Sequence, residues 1–433
     1  MSEEPLLVAE FEPPRAKISW PILLFILGLA LPPEASVKLG DFRLSGYRVV
    51  LILWLLPCIM KFISGEVKFS KADWMMLLHS LWACAALVKF AGFGDGMKSG
   101  GIYVIEAVGS YFLARCYIRS TADFRAVVRM MMIMVVCLIP YTLFEALTNN
   151  HFIRETARAI MGGEALTPMD PRMGLYRAYG TFDHPILYGI FGASALGLTC
   201  YSLNNTKDWQ IRDFFRMGLL FFGVFLSVSS GAIVAALIMF ALMGWDYITR
   251  SIGRRWLILL GIIISVVMVT SMFSSRSPVK VFLSFAAFDA NTAYNRLRIF
   301  DYGSEEVYRN PVFGIGLGEW QRPEWMSSSM DNFWLATTVR YGVPSFAFLV
   351  LGLLLLTMKA GHRTFRSYHD DNARKSWLIA LAGLGIAACT VHFWNALFAL
   401  FCFVIGAGAY LALPPAEEPT QETEGEDYAP TGE

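Results

Sequence analysis

Twelve apolar runs, most about as long as a bilayer is thick, constrain this chain more than any other feature. They fall at about 18–33, 46–63, 74–91, 100–118, 127–147, 182–203, 214–229, 230–248, 255–274, 332–358, 375–392 and 394–412. A spanning helix needs about 20 apolar residues, because its backbone N–H and C=O groups find no water in hydrocarbon and must pair within the segment. Twelve such helices account for about 240 residues of a 433-residue chain and leave the rest for loops and tails. Composition agrees: 55% of residues are hydrophobic and only 16% charged, well below the roughly 25% of soluble domains. Mean hydropathy is +0.48. Disorder, a disulfide scaffold and a soluble enzyme are excluded, and an all-α polytopic membrane protein is expected.

Lys and Arg in short loops orient such a chain, since they concentrate on the cytoplasmic side. With the N-terminus cytoplasmic, the inside segments hold twenty Lys and Arg, and the short outside loops hold five: Lys38, Arg43, Arg48, Lys89 and Lys98. Both termini are therefore expected inside. Residues 1–17 form a cytoplasmic segment without a cleavable signal, 18–147 carry spans 1–5, 182–274 spans 6–9 and 332–412 spans 10–12. Segments 148–181 and 275–331 lie outside as two folded caps, and 413–433 form an acidic disordered tail. The net charge of +1 leaves no electrostatic case for nucleic acid. All seven cysteines fall in or beside apolar runs, where they read as small hydrophobes, so neither a disulfide nor a metal site is expected.

Ionisable residues inside spans are costly and face the bundle interior or a polar cavity. Arg48, Lys89, Glu106, Glu145, Arg340 and His392 all fall in the outer halves of their spans. Arg340, nine residues past Asp331, is expected about 13 Å below a helix mouth, paired with Glu106 or Glu145. Buried pairing or interfacial anchoring is the competing account for each residue. The two outer segments hold Arg154, Arg158, Arg172, Arg177, Arg276, Arg296, Arg298, Arg309 and Arg322 against a single lysine, Lys280. Arginine's planar fork suits bidentate phosphate or carboxylate binding, although surface salt bridges use the same residues.

Three patterns in order resemble the O-antigen ligase and polymerase superfamily of bacterial envelope polysaccharide synthesis. Arg177-Ala-Tyr-Gly180-Thr-Phe-Asp-His184-Pro185 is similar to its R-x-x-G-x-F-x-x-P. Asn295-Arg296-Leu-Arg298-Ile-Phe300, then Asn310-Pro311-Val-Phe-Gly314-Ile-Gly316, is similar to R-x-x-x-W followed by N-P-x-x-G-x-G. Asp331-Asn332 with Gly342-Val-Pro-Ser345 resembles H-N-x9-G-x-x-G. Asp331 stands where a ligase has histidine, Ser345 replaces the last glycine, and Ser229-Ser230-Gly231 stands where many members have S-R-G. The aspartate favours a polymerase.

The resemblance implies a GT-C-like glycosyltransferase of the bacterial inner membrane, its active site facing the periplasm. It would polymerise polyprenyl-diphosphate-linked oligosaccharide repeat units into an envelope or exported polysaccharide, using membrane lipid substrates beside a chain-length regulator and a flippase. Arg177 and Arg296 would stabilise the leaving diphosphate, with Arg298 or Arg340 assisting, so that no divalent metal or other cofactor is needed. Asp331 beside Asn332 is placed to accept the acceptor's proton, and direct attack would invert the anomeric carbon. Asp331 also reads as the N-cap of the tenth span. His184 is a further substrate-binding candidate, and Trp320, Trp325 and Trp334 are candidates for sugar stacking or for interfacial anchors. A glycan ligase, or a lipid-linked sugar flippase or secondary transporter, is the alternative. Gly314-Ile-Gly316-Leu-Gly318 follows no strand of a βαβ unit, so a tight bend is expected there rather than a nucleotide loop.

Overall fold

The computed structural model describes residues 16–413 apart from 40–41, 163–165, 167–168, 207–208, 276 and 286–289. The acidic tail after Leu413, most of the segment 1–17 and Arg276 lie outside the described residues. Every apolar run falls on a helix. The first is short: α1 (Trp20–Leu29) leads into an antiparallel pair, β1 (Ser36–Leu39) and β2 (Phe42–Ser45), the one sheet among the described residues and one not anticipated in an all-α chain. The next helix, α2 (Gly46–Ile63), returns along α1. Gly28 permits this approach, since a Cβ there would lie 2.7 Å from the Tyr47 backbone nitrogen.

Helix α3 (Lys71–Val104) opens with a reciprocal cap. Ser70 Oγ accepts from the Asp73 amide at 3.2 Å, and the Asp73 carboxylate accepts from the Ser70 amide at 2.7 Å. Gly92, at φ 77° and ψ 172°, breaks it into two arms. The second arm folds back on the first, with Gly100 so close to Cys84 that a Cβ would meet its Sγ at 2.5 Å. It continues through a π turn at Ile105–Gly109 into α4 (Ser110–Tyr117). Helix α5 (Thr121–Thr148) repeats the capping box with Ser120 and Asp123 and ends at Asn149 in the left-handed region.

A short helix, α6 (Phe152–Met161), lies in the segment 148–181. Next, α7 (Pro185–Ser202) is almost wholly buried, packed on α5, α8 (Ile211–Leu226) and α9 (Ser230–Ile248). Its glycines set the spacing, and a Cβ on Gly197 would lie 2.8 Å from Ala380 Cα. Small residues let helices approach closely where lipid supplies no hydrophobic drive. By contrast α10 (Arg255–Phe273) buries no residue.

The segment 275–331 holds α11 (Pro278–Phe285) and α12 (Ala290–Arg309). Ile299, Trp320, Met326 and Met330 form a small core there against Ala336 and Val339 of α13 (Phe333–His362). The bundle closes with α14 (Tyr368–Ala387), α15 (Ala396–Ala407) and α16 (Ala409–Ala412). Among the described residues seven helices are long and apolar enough to cross a membrane.

The tenth run is not one straight helix. Gly342, at φ 81° and ψ 168°, breaks α13 after nine residues. The loop 310–316 plugs the break: the amides of Ile315 and Gly316 donate to the carbonyls of Val339 and Arg340 at 2.9 Å each, and the Val343 amide donates to Pro311 O at 2.7 Å. Backbone groups orphaned by the break are thereby satisfied, as a low-dielectric setting requires. A side chain on Gly314 would overlap the Val339 carbonyl and one on Gly342 the Val312 carbonyl, so these glycines serve a tight bend. Ser345, in place of the family's glycine, is accommodated by His79, whose Nδ1 lies 3.0 Å from Ser345 Oγ.

Candidate active site

Three interruptions of helical backbone meet at the end of the bundle that carries the two long segments: 178–184 before α7, 227–229 between α8 and α9, and 388–395 between α14 and α15. The Ala178 amide donates to Leu226 O at 3.1 Å, and the Phe333 amide donates to Ala388 O at 2.8 Å and Val391 O at 3.1 Å. A Cβ on Gly231 would overlap Val391 Cγ2. Val228 is fully buried at φ 43°, a conformation that a β-branched residue holds only under constraint, and such strain gathers at functional sites.

Glu145 of α5 fixes the first interruption. Its carboxylate accepts from the amides of Tyr179 at 3.1 Å and Gly180 at 2.7 Å, while the other oxygen meets His151 Nδ1 at 2.8 Å. Gly180 has φ 59°, which accounts for the glycine in R-x-x-G. Glu34 chelates Arg154, with Oε1 at 2.5 Å from Nη2, and Arg154 Nη1 also donates to the carbonyls of Phe182 and Asp183. Arg154 is thus committed to holding the loop. Glu106 takes Arg48 at 2.8 Å and the Tyr47 hydroxyl at 2.6 Å. Both acids expected to pair with Arg340 are therefore engaged elsewhere, and among the described residues no carboxylate lies within salt-bridge distance of Arg340. Its charge is felt at His392, whose Nδ1 is buried without a hydrogen bond.

Arg177 leaves Glu145's loop as a half-buried guanidinium. Its Nη1 meets Met169 Sδ at 3.5 Å, its Nε is buried without a partner, and no described carboxylate reaches salt-bridge distance. Burial and the neighbouring Arg172 pull its pKa down to about 10, and Tyr179 and Asp331 act in the opposite direction. A guanidinium that is desolvated and short of negative charge is prepared for an anion. His184 caps α7 by accepting from the Ile186 amide at Nδ1, 3.1 Å away, which leaves the proton of the neutral ring on Nε2. Burial, then the charges of Arg177 and Arg154, push its pKa down to about 3, so the imidazole is a neutral donor at physiological pH.

Asp331 is half-buried and accepts from Ser329 Oγ at 2.8 Å. It is not the helix cap. Asn332 takes that position, its Oδ1 accepting from the Leu335 amide at 3.0 Å, because α13 starts one residue later than the pattern implies. Arg296 is buried on α12 and donates from Nη2 to Ser230 Oγ at 3.0 Å. That serine stands where S-R-G would put an arginine, so a guanidinium reaches this corner from a different helix. Arg298 lies over the rings of Tyr294 at 4.4 Å and Trp325 at 5.0 Å, and Trp325 is 65% exposed. Trp320 is buried in the small core with its indole N–H on Ser328 O at 3.1 Å, and Trp334 donates to Gly385 O at 2.8 Å.

Arg177, His184 and Asp331 thus share one electrostatic neighbourhood. Arg296 reaches the adjoining break, Arg340 sits beside His392, and Arg298 lies further out with Trp325. Glu34 and the strained Val228 did not stand out in the sequence, and Ser230 stood out only as the departure from S-R-G. Glu145 was visible as an acid within a span, whereas its partners are backbone amides that no residue pattern marks.

A polytopic helical membrane protein with arginines gathered on buried helix breaks is suited to binding a lipid-borne anion. An O-Antigen ligase family profile matches residues 215–350, about a third of the chain, covering the second and third motifs. The match supports the O-antigen ligase/polymerase superfamily. No curated protein matches the chain.

Proposed function

We propose that this protein is a membrane glycosyltransferase that polymerises polyprenyl-diphosphate-linked oligosaccharide repeat units. The observation that carries the reading is Arg177: desolvated, without a carboxylate partner among the described residues, and within electrostatic reach of both His184 and Asp331. The acceptor hydroxyl attacks the anomeric carbon of the donor chain. The bond from that carbon to the diphosphate oxygen breaks, its electron pair leaves on the phosphate, and the hydroxyl proton passes to Asp331. Arg177 and Arg296 stabilise the charge that develops on the leaving group, with Arg340 and the Nε2–H of His184 assisting, so that no metal is required. A single displacement inverts the anomeric centre. Asp331 Oδ1 is held by Ser329, which leaves the second oxygen for the acceptor.

Asp331 in the position of a ligase histidine favours polymerisation over transfer to another acceptor. The charge asymmetry favours a site facing the periplasm, with both termini in the cytoplasm of an inner membrane. Detergent-purified protein should lengthen lipid-linked repeat units into a ladder of products with no membrane to cross. Transport of the lipid across reconstituted bilayers without any lengthening would establish a flippase instead.

A further inference from the structure

Helix α6 sits deeper in the molecule than its place in an outer segment implies. The chain turns back after α5 at Asn149, which is left-handed at φ 57° and ψ 25°. The Ile153 amide then donates to the Tyr141 hydroxyl at 3.3 Å, and the Phe152 ring packs on those of Tyr141 and Phe144, with centroids 4.8 and 6.1 Å away. At 1.5 Å per residue, Tyr141 lies about 10 Å short of the end of α5. Arg129 is the last basic residue of α5, and a hydrocarbon layer of about 30 Å counted from it takes about 20 residues and reaches that end. The exposed Phe144 and Leu147 extend the apolar surface of α5 to the same level. Helix α6 therefore begins within the apolar layer rather than above it.

Its three faces fit that level. Phe152, Thr156 and Ile160 recur at four-residue spacing on one exposed ridge, with Phe152 49% and Ile160 78% exposed. Glu155 and Arg158 occupy a second face. Arg154 points a third way, into the bundle, where it is buried against Glu34 and donates to the carbonyls of Phe182 and Asp183 at 3.1 and 3.0 Å. An exposed apolar ridge at this depth, continuous with the lipid-facing residues of α5, has acyl chains for a neighbour.

We infer that α6 lies in the plane of the bilayer, with the Phe152–Ile160 ridge among the acyl chains of the leaflet at this end of the bundle, and that through Arg154 it holds the 178–184 loop at a fixed level. The inference is the same for a polymerase, a ligase or a flippase.

The test is a nitroxide scan. Residues 152–161 other than Arg154 are replaced singly by cysteine in the cysteine-free full chain, spin-labelled and reconstituted in phosphatidylcholine nanodiscs. Power saturation reads collisions with oxygen, which concentrates in hydrocarbon, and with a nickel chelate, which stays in water. Oxygen collisions should peak at Phe152, Thr156 and Ile160, and nickel collisions at Glu155 and Arg158, in opposite phase. Profiles in phase would place the helix in water, and a ridge closed to both reagents would show a second copy of the chain covering it. Either result would overturn the inference. Ile160→Asp should quicken amide exchange in peptides spanning 178–184 about tenfold, the equivalent of one lost hydrogen bond to a charged group. Peptides of α7 should stay protected, and Ile160→Leu should exchange as wild type does. Exchange in 178–184 that is indifferent to Ile160→Asp would overturn the hold exerted through Arg154.

Discussion

Arg296 donates from Nη2 to Ser230 Oγ across 3.0 Å, tying α12 of the segment 275–331 to the first residue of α9. Ser230 supplies one acceptor, and Arg296 supplies the charge. Arg296→Ala should therefore abolish polymer while the protein still accumulates in the membrane. Ser230→Ala should cost only about 1 kcal/mol, the net worth of one hydrogen bond, and leave most of the turnover. Equal loss in both variants, measured as glycan product per unit of purified protein, would make the pair structural.

Asn332 caps α13, and its neighbour Asp331 is the proposed base. Asp331→Asn should leave thermal stability unchanged, because Asp331 does not cap α13, and should lower turnover by about 100-fold, the usual contribution of a general base. Asn332→Ala should destabilise by about 1 kcal/mol through loss of the cap. Normal polymerisation by Asp331→Asn would move the base elsewhere, with Glu319 and Glu324 the nearest acids in sequence.

The helices were legible in the sequence because a spanning segment needs a long apolar run, and each of the twelve runs lies on one. Their packing was not. The buried centre, α7, is rich in Gly, Ala and Ser, whereas the strongly apolar α10 packs against almost nothing, so hydropathy reported contact with lipid rather than depth in the bundle. The arginine-rich motifs were legible as residues. What turned them into a site, the Glu145 clasp on the 178–184 loop and the 310–316 plug in α13, consists of backbone hydrogen bonds that carry no residue signature.

His184 gives the fold an acid-sensitive element. Its pKa falls from 6.5 to about 3 in the folded protein, so the unfolded chain binds more protons between those values. The stability it contributes is complete above pH 6.5 and declines as pH falls toward 3. His184→Asn keeps an N-cap and removes the titration. The variant should lose less thermal stability than wild type between pH 7 and 4.5, and equal losses would place the acid sensitivity in other groups.

The proposed orientation rests on a charge asymmetry, twenty basic residues in the segments assigned to the inside against five in the short loops assigned to the outside. A cysteine at Ser328, in a cysteine-free background, should react with an impermeant thiol reagent in intact spheroplasts. A cysteine at Ser251 should react only after permeabilisation. The opposite labelling would turn the proposed site toward the cytoplasm.

Turnover by Arg177 variants bears most directly on the account, because this half-buried guanidinium lacks a carboxylate partner among the described residues and is the group proposed to stabilise the leaving diphosphate. Purified Arg177→Ala, supplied with lipid-linked repeat units, should give no product ladder and release no polyprenyl diphosphate. Arg177→Lys should recover little, since an ammonium lacks the bidentate fork. A ladder formed by Arg177→Ala at the wild-type rate would contradict the proposed cationic clamp.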